Sequence, residues 1–303
     1  MTIPYFARLL CLSLAAFFVA HLVLTAMVRL VAALVIERSR RMRAGDGATL
    51  LFALRIAPGA LAAAVVVGVC APSYLWLEPD MATEQIGVVC IAAAAIAAAA
   101  WIGGIMRAFR ASVRSARLLR NCERVIESEA PVLMLAGVFH GRLIVSRGVR
   151  LALTSEQLAV AVRHERAHGV ARDNLKRLLI LLAPDVFPFA GGLQQLERAW
   201  SRMAEWAADD YAVDGSRQRS LSLASALVRV ARLGVPAAAP LATPLLGNRD
   251  DLSVRIERLL NGGMARRPGK SWPVIVVAIA IAGAAMQPAS LVAVHRLLET
   301  LAH

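Results

Sequence analysis

The sequence predicts a multi-pass α-helical membrane protein with an α+β domain between its third and fourth spans. Three observations carry this expectation: an apolar composition, four stretches long enough to cross a bilayer, and an uneven distribution of arginine around them. Of the 303 residues, 58% are hydrophobic, and the mean hydropathy is +0.60, well above the apolar share of a soluble domain. The apolar stretches cover about residues 9–36, 50–77, 86–106 and 272–294, each near the twenty residues that a transmembrane helix needs. The third includes the alanine-rich run 92–100, which suits a thin, closely packed membrane helix. Trp76, Trp101 and Trp272 fall near expected helix ends, where indoles favour the membrane interface. The first stretch is longer than the apolar part of a signal peptide and has no small-residue cleavage site before its arginines, so it is expected to remain as a span. The division that follows is residues 1–106 for three spans, 107–270 for the central domain, and 271–303 for the fourth span and a short tail.

Arginine placement sets the expected topology. The first loop holds Arg38, Arg40, Arg41 and Arg43, whereas the second holds Glu78, Asp80 and Glu84 and no basic residue. Arg107, Arg110, Arg114, Arg117 and Arg120 follow the third span, and Arg266, Arg267 and Lys270 precede the fourth. Because cytoplasmic loops are enriched in Lys and Arg, the first loop and the central domain are expected in the cytoplasm, with both chain ends outside. The net charge of +13 is then explained by basic segments attracted to anionic lipid, and the lipid bilayer is one expected partner. No direct nucleic-acid partner is expected: the basic run 107–124 lacks a stacking array of aromatic residues and a recognisable nucleic-acid-binding fold. Cys11, Cys70, Cys90 and Cys122 show neither metal-ligand spacing nor a disulfide framework. His21, inside the first span, is an ionisable group in lipid; it is expected to be a neutral histidine hydrogen-bonded between helices.

The central domain carries the chemistry. Residues 132–135 and 142–146 read as short strands joined through Gly137 and Gly141. Thr154 and Gln157 fit a capping box that starts a helix, and no Pro or Gly interrupts it before Gly169. On this helix lies His164-Glu165-Arg166-Ala167-His168. Histidines four residues apart share one helical face, so both imidazoles can reach one zinc ion. Glu165 projects beside them, where its carboxylate can take a proton from water that the metal activates. A strand beside this helix can also accept a peptide as an added strand. Zinc sites that do chemistry usually take three protein ligands. Residues 192–212 have helical character and place Glu205 and Asp209 on one face at i, i+4. Glu205 is the expected third ligand, and Asp209 is expected to orient a ligand histidine through its other ring nitrogen. Tyr211, Asn174 and several arginines compete as donors to a developing oxyanion, and none is singled out.

Three connecting segments complete the reading. Residues 175–190 are too short and too charged to span, with Lys176, Arg177, Asp185 and two prolines; an interfacial or re-entrant segment is expected. Residues 235–244 read as a Pro/Ala-rich linker with little secondary structure. A helix over residues 252–260 is expected to close the domain, with Leu252, Ile256, Leu259 and Leu260 on one side.

His164-Glu165-x-x-His168, Asp173-Asn174 and Glu205-x-x-x-Asp209, with Ile144-Val-Ser-Arg-Gly148 and Leu153-Thr-Ser-Glu-Gln-Leu158 before them, resemble the bacterial membrane metallopeptidases of the BlaR/MecR antirepressor type. More distantly, they are similar to HtpX-type and CaaX-prenyl membrane peptidases. The resemblance covers roughly residues 130–260. It implies a zincin-like (HExxH gluzincin) metalloprotease domain facing the cytoplasm of a bacterial inner membrane, with a transcriptional repressor as substrate in the best-known members. Those sensors carry an extracellular penicillin-binding domain after their last span, and this sequence ends at His303, so antibiotic sensing is not expected to carry over. The leading expectation is a zinc metalloendopeptidase in regulatory signalling. An HtpX-like quality-control protease and a non-enzymatic membrane scaffold are the alternatives, the complete set of His164, Glu165, His168, Glu205 and Asp209 speaking against the scaffold.

Overall fold

A computed structural model of the chain describes residues 5–77, 87–121, 125–126, 132–138, 141–186, 192–234, 242–244 and 249–261. The protein is mostly helical. Three long helical stretches open the chain: α1 (Tyr5–Arg40), then α2 (Ala44–Val65) continued through a π-helical turn (Val66–Cys70) into α3 (Ala71–Leu77), then α4 (Val88–Asn121). Three segments within them, Tyr5–Arg40, Ala44–Trp76 and Val88–Arg117, are long and apolar enough to cross a membrane. The alanines of α4 serve the close packing expected of them: Ala97 is buried against Phe17 of α1 and Ala62 of α2. The expected fourth span, the acidic second loop, Cys122, Trp272 and the basic cluster at 266–270 lie outside the described residues.

The helices overrun their expected ends. Arg38 and Arg40, read from sequence as loop residues, form the last turn of α1. α4 continues unbroken past Met106 to Asn121, carrying Arg107, Arg110, Arg114, Arg117 and Arg120 on the same helix as the span. No proline interrupts it, and Gly104 is used for packing rather than for a break. Trp101 therefore sits in mid-helix, its ring 5.5 Å from that of Phe17, whereas Trp76 is exposed near the end of α3.

After α4 come β1 (Val125–Ile126), β2 (Leu133–Ala136), β3 (Arg142–Ser146), α5 (Arg147–Ala152), α6 (Ser155–Val170), α7 (Asp173–Leu182), α8 (Gly192–Val213), α9 (Arg217–Arg232), β4 (Ala242–Pro244) and α10 (Arg249–Leu260). Both expected strands and the expected capping box are present. The Gln157 amide N–H donates to Thr154 Oγ1 at 3.3 Å, and the Thr154 N–H donates to Gln157 Oε1 at 3.1 Å, which satisfies two N–H groups at the start of α6. The sheet order is β1-β3-β2-β4, with β2 antiparallel to both neighbours. β4 corrects one expectation. Its three residues come from the stretch read as a linker, and they pair with the edge of β2 that β3 does not take. The physical reason is that a buried strand edge leaves N–H and C=O groups unpaired. A short edge strand ending in Pro244 satisfies them at a position where proline is tolerated. A peptide can add to β2 on that side only if β4 leaves.

Two apolar clusters hold the arrangement. One gathers Leu133, Val149, Val160, Leu223, Leu227 and Leu259 from β2, α5, α6, α9 and α10. The other joins Val28, Ala48 and Leu51 of the first two helices to Ile180, Leu196, Trp200 and Met203 of α7 and α8. The described part of the segment expected to be interfacial or re-entrant, residues 175–186, is packed among the candidate spans. α7 runs to Leu182, the Pro184 ring lies beside Gly59 of α2, and a Cβ on Gly104 of α4 would run into the Leu182 carbonyl. Arg107 donates to the Ala183 carbonyl at 3.3 Å. His21 is buried in α1, 3.4 Å from Thr25 Oγ1.

Replacing Gly104 with Val is expected to destabilise the detergent-purified protein by about 1–3 kcal/mol, the usual cost of overpacking. Gly103→Val should leave the melting temperature nearly unchanged, because a Cβ there meets only the flexible end of Arg107 at 3.5 Å. Thermal unfolding of the two variants side by side reads the difference.

Candidate metal centre

α6 and α8 bring His164, His168 and Glu205 together, with one potential ligand atom from each within 4.8 Å of the others. The Nε2 atoms of the two histidines lie 3.3 Å apart. Glu205 Oε2 is 3.5 Å from His164 Nε2, and Oε1 is 3.7 Å from His168 Nε2. Two nitrogens each about 2.0–2.1 Å from one tetrahedral zinc would lie about 3.4 Å apart, so these separations fit a single small ion.

The far side of each ring determines what the near side presents. His164 Nδ1 lies 2.9 Å from Asp209 Oδ1, and His168 Nδ1 lies 2.8 Å from Asp173 Oδ2. A ring nitrogen facing a carboxylate carries the hydrogen, which leaves the lone pair on Nε2. Both Nε2 lone pairs then converge on one point, an arrangement that a cation relieves. Asp209 thus takes the position expected of it. Asp173 plays the same part for His168, a role the sequence reading did not assign although Asp173-Asn174 had been noted as part of the resemblance.

All of these groups are buried. Ionised side chains out of water must be paired, and the partner is Arg255 of α10, which sequence reasoning missed. Its guanidinium grips Asp209 with two hydrogen bonds of 2.9 and 2.7 Å, and Nη1 lies 3.0 Å from Glu205 Oε2. Arg202–Asp251 at 2.8 Å and Arg258–Asp210 at 2.6 Å fasten α10 to α8 on either side. A signal was present: Leu252, Arg255, Ile256 and Leu259 follow the i, i+3, i+4, i+7 spacing of one helical face, so an arginine stands in an apolar stripe. Leu260, expected on that stripe, is exposed at the helix end instead. The centre then sets four carboxylates (Glu165, Asp173, Glu205 and Asp209) against two side-chain cations, Lys176 and Arg255.

The charges leave their mark on the acid–base equilibria. Burial disfavours the ionised form of Glu205, but Arg255 and the two histidines outweigh it and bring its pKa down to about 2. Burial likewise opposes ionisation of Asp209, and Arg255 and His164 overcome it and hold the pKa below the usual carboxylate range. Burial lowers the pKa of His164, yet the Asp209 and Glu205 carboxylates beside its ring nitrogens raise it overall to about 9. Glu165 moves the other way, up to about 8, chiefly because it is buried.

Glu165 is held from above by the sheet. The Leu135 N–H donates to its Oε2 at 2.9 Å, while Oε1, also buried, has no hydrogen-bond partner among the described residues. Leu135 is the β2 residue paired with Thr243 of β4. The Asn174 amide donates to the Leu135 and Gly137 carbonyls at 3.0 and 2.9 Å, so it secures the end of β2 and is not aimed at the metal cluster. Tyr211 is exposed, with the Arg163 guanidinium 5.5 Å from its ring centroid. Neither is placed as an oxyanion donor.

The chain matches no protein-family model, no curated protein and no solved structure. What defines its class is the fold and the site: a helical protein with three candidate membrane spans and a buried His164–His168–Glu205 cluster able to hold a metal ion.

Asp173→Asn is expected to weaken metal binding about 10–100-fold, the usual effect of losing the group that orients a ligand histidine; competition with a chromophoric chelator measures it. Arg255→Met should cost the protein about 3–5 kcal/mol, because it leaves buried carboxylates unpaired. The fall in melting temperature, compared with the exposed control Arg198→Met, reports that loss.

Proposed function

We propose that this protein is a membrane-embedded zinc-dependent endopeptidase of the antirepressor-like kind that its motifs resemble. It hydrolyses a peptide bond in a cytosolic or membrane-proximal protein, in regulatory signalling such as repressor cleavage. The observation that carries the reading is Glu165: its carboxylate is buried next to His164 in sequence and interacts electrostatically with His164 and Glu205, and its Oε1 has no hydrogen-bond partner among the described residues. A structural zinc site is closed by four protein ligands and has no use for such a carboxylate.

His164, His168 and Glu205 would hold the zinc. When bound, zinc supplies Lewis-acid activation of water and of the scissile carbonyl. Glu165 takes the proton of the attacking water on Oε1 and returns it to the leaving amine. The Leu135 N–H fixes the other carboxylate oxygen, so Oε1 keeps one direction through both transfers. Asp209 and Asp173 hold the histidines in the tautomer that binds metal. Arg255 keeps Glu205 and Asp209 ionised. The Arg-rich ends of α1 and α4 support a cytoplasmic orientation of this domain in a bacterial inner membrane.

Glu165→Ala is expected to abolish cleavage while zinc stays bound, whereas His164→Ala should lose both. Retained stoichiometric zinc in the His164 variant would sink the ligand assignment. In cells, comparing new protein N-termini between wild type and Glu165→Ala identifies the substrate. A few cytosolic termini dependent on Glu165 support a regulatory protease; many membrane-protein termini support quality control instead.

A further inference from the structure

A cavity of about 270 Å³ opens beside His168. It is smaller than the usual pocket for a whole small molecule, and suits one side chain. Three glycines make the room. Gly137, Gly141 and Gly169 contribute backbone only, and a Cβ at Gly141 or Gly169 would press on the Leu135 side chain at 3.0 Å. Leu135, Val138 and Leu175 form its apolar wall, and no acidic residue lines it among the described residues.

Arg172 stands out in the lining. It connects α6 to α7 in the left-handed conformation, φ 54° and ψ 40°, at a helix-terminal position where glycine is the residue normally used. An arginine there carries backbone strain that glycine would avoid. Its side chain is exposed, and among the described residues its guanidinium makes no hydrogen bond, ion pair or ring contact. Strain retained at a cleft beside a reactive centre, in a residue whose side chain has no structural partner, points to a ligand.

We infer that this cavity is the side-chain subsite next to the scissile bond, and that it takes a residue bearing a carboxylate, with Arg172 as its partner. The inference rests on the peptidase reading. His168 forms the inner wall, so the residue adjoining the cleaved bond is the one within reach. Its methylene groups lie against Leu135, Val138 and Leu175, and its carboxylate meets the guanidinium in the paired geometry that arginine favours. The carboxylate belongs either to a Glu or Asp side chain or to the C-terminus of the substrate, and the test separates the two.

Full-length wild type, Arg172→Gly and Arg172→Glu, loaded with zinc in detergent, are given a mixed peptide library, and cleavage sites are read by mass spectrometry. Binding is measured separately on the Glu165→Gln protein, with and without Arg172→Glu, using fluorescent peptides that differ only as Glu against Gln beside the central bond, each with a free or an amidated C-terminus. Wild type is expected to favour an acidic residue at one flanking position by about tenfold, the scale of one charge-assisted pair. Arg172→Gly should lose that preference while melting no lower than wild type, since it removes the strain, and Arg172→Glu should turn it toward Lys or Arg. If discrimination follows the free C-terminus instead, the carboxylate is the terminal one. Identical cleavage and binding profiles in all variants would overturn the inference and leave the peptidase reading standing. Arg172-dependent binding of the Glu peptide without any cleavage by wild type would uphold the subsite and overturn the peptidase reading.

Discussion

Everything around the metal cluster depends on one fully buried ion pair, Arg255 with Asp209. Taking a carboxylate out of water costs several kcal/mol unless it is paired and hydrogen-bonded, and here Glu165, Glu205, Asp209 and Asp173 are buried within one small volume. Arg255 makes that arrangement possible. It binds Asp209 through two nitrogens and reaches Glu205 with a third. Asp209 in turn holds His164, so the guanidinium of α10 governs the orientation of a ring on α6 through a side chain of α8.

The same helices are anchored from the opposite direction. α8 packs along α2, where Gly47 lies against Met203 and the Ser39 carbonyl. Trp200 of α8 sits next to Phe52 of α2, with ring centroids 6.4 Å apart. One length of α8 therefore belongs to the cluster shared with α1 and α2, while Ala212 near its end belongs to the cluster of α6, α9 and α10. Glu205 lies within the first of these attachments, between Ala204 and Trp206. α7 follows a similar plan, beginning at Asp173 beside His168 and ending at Leu182 against Gly104 of α4. The helices that place metal-cluster carboxylates are thus the ones that pack on the candidate membrane helices.

Much of the site was legible in the sequence because it obeys local rules. His164, Glu165 and His168 lie within one turn of a single helix, and the capping box that starts that helix is a four-residue pattern. Glu205 and Asp209 are again one turn apart. The pairing of Arg255 was not legible, since it is 46 residues from Asp209 in sequence; only its place in an apolar stripe marked it. The helix ends and the β4 pairing were misread for a related reason. Hydropathy marks where apolar residues stop, whereas a helix stops only where its hydrogen bonding is interrupted. A strand of three residues carries too little pattern to be told from a loop.

By itself, the sequence determined which segments are apolar enough to cross a membrane and which turn of which helix offers two imidazoles and a carboxylate to one point. These follow from composition and from the 3.6-residue period of the α-helix. Only the tertiary structure decided that Arg255 and Asp173 complete the centre, that β4 covers the open edge of β2, and that Arg172 borders a cavity beside His168. Arg255 with Asp209 and β4 with β2 are contacts between distant parts of the chain, while Asp173 and Arg172 come to His168 through the turn between α6 and α7. The distant contacts are set by the need to pair every buried charge and backbone group, a requirement that acts on the folded molecule as a whole.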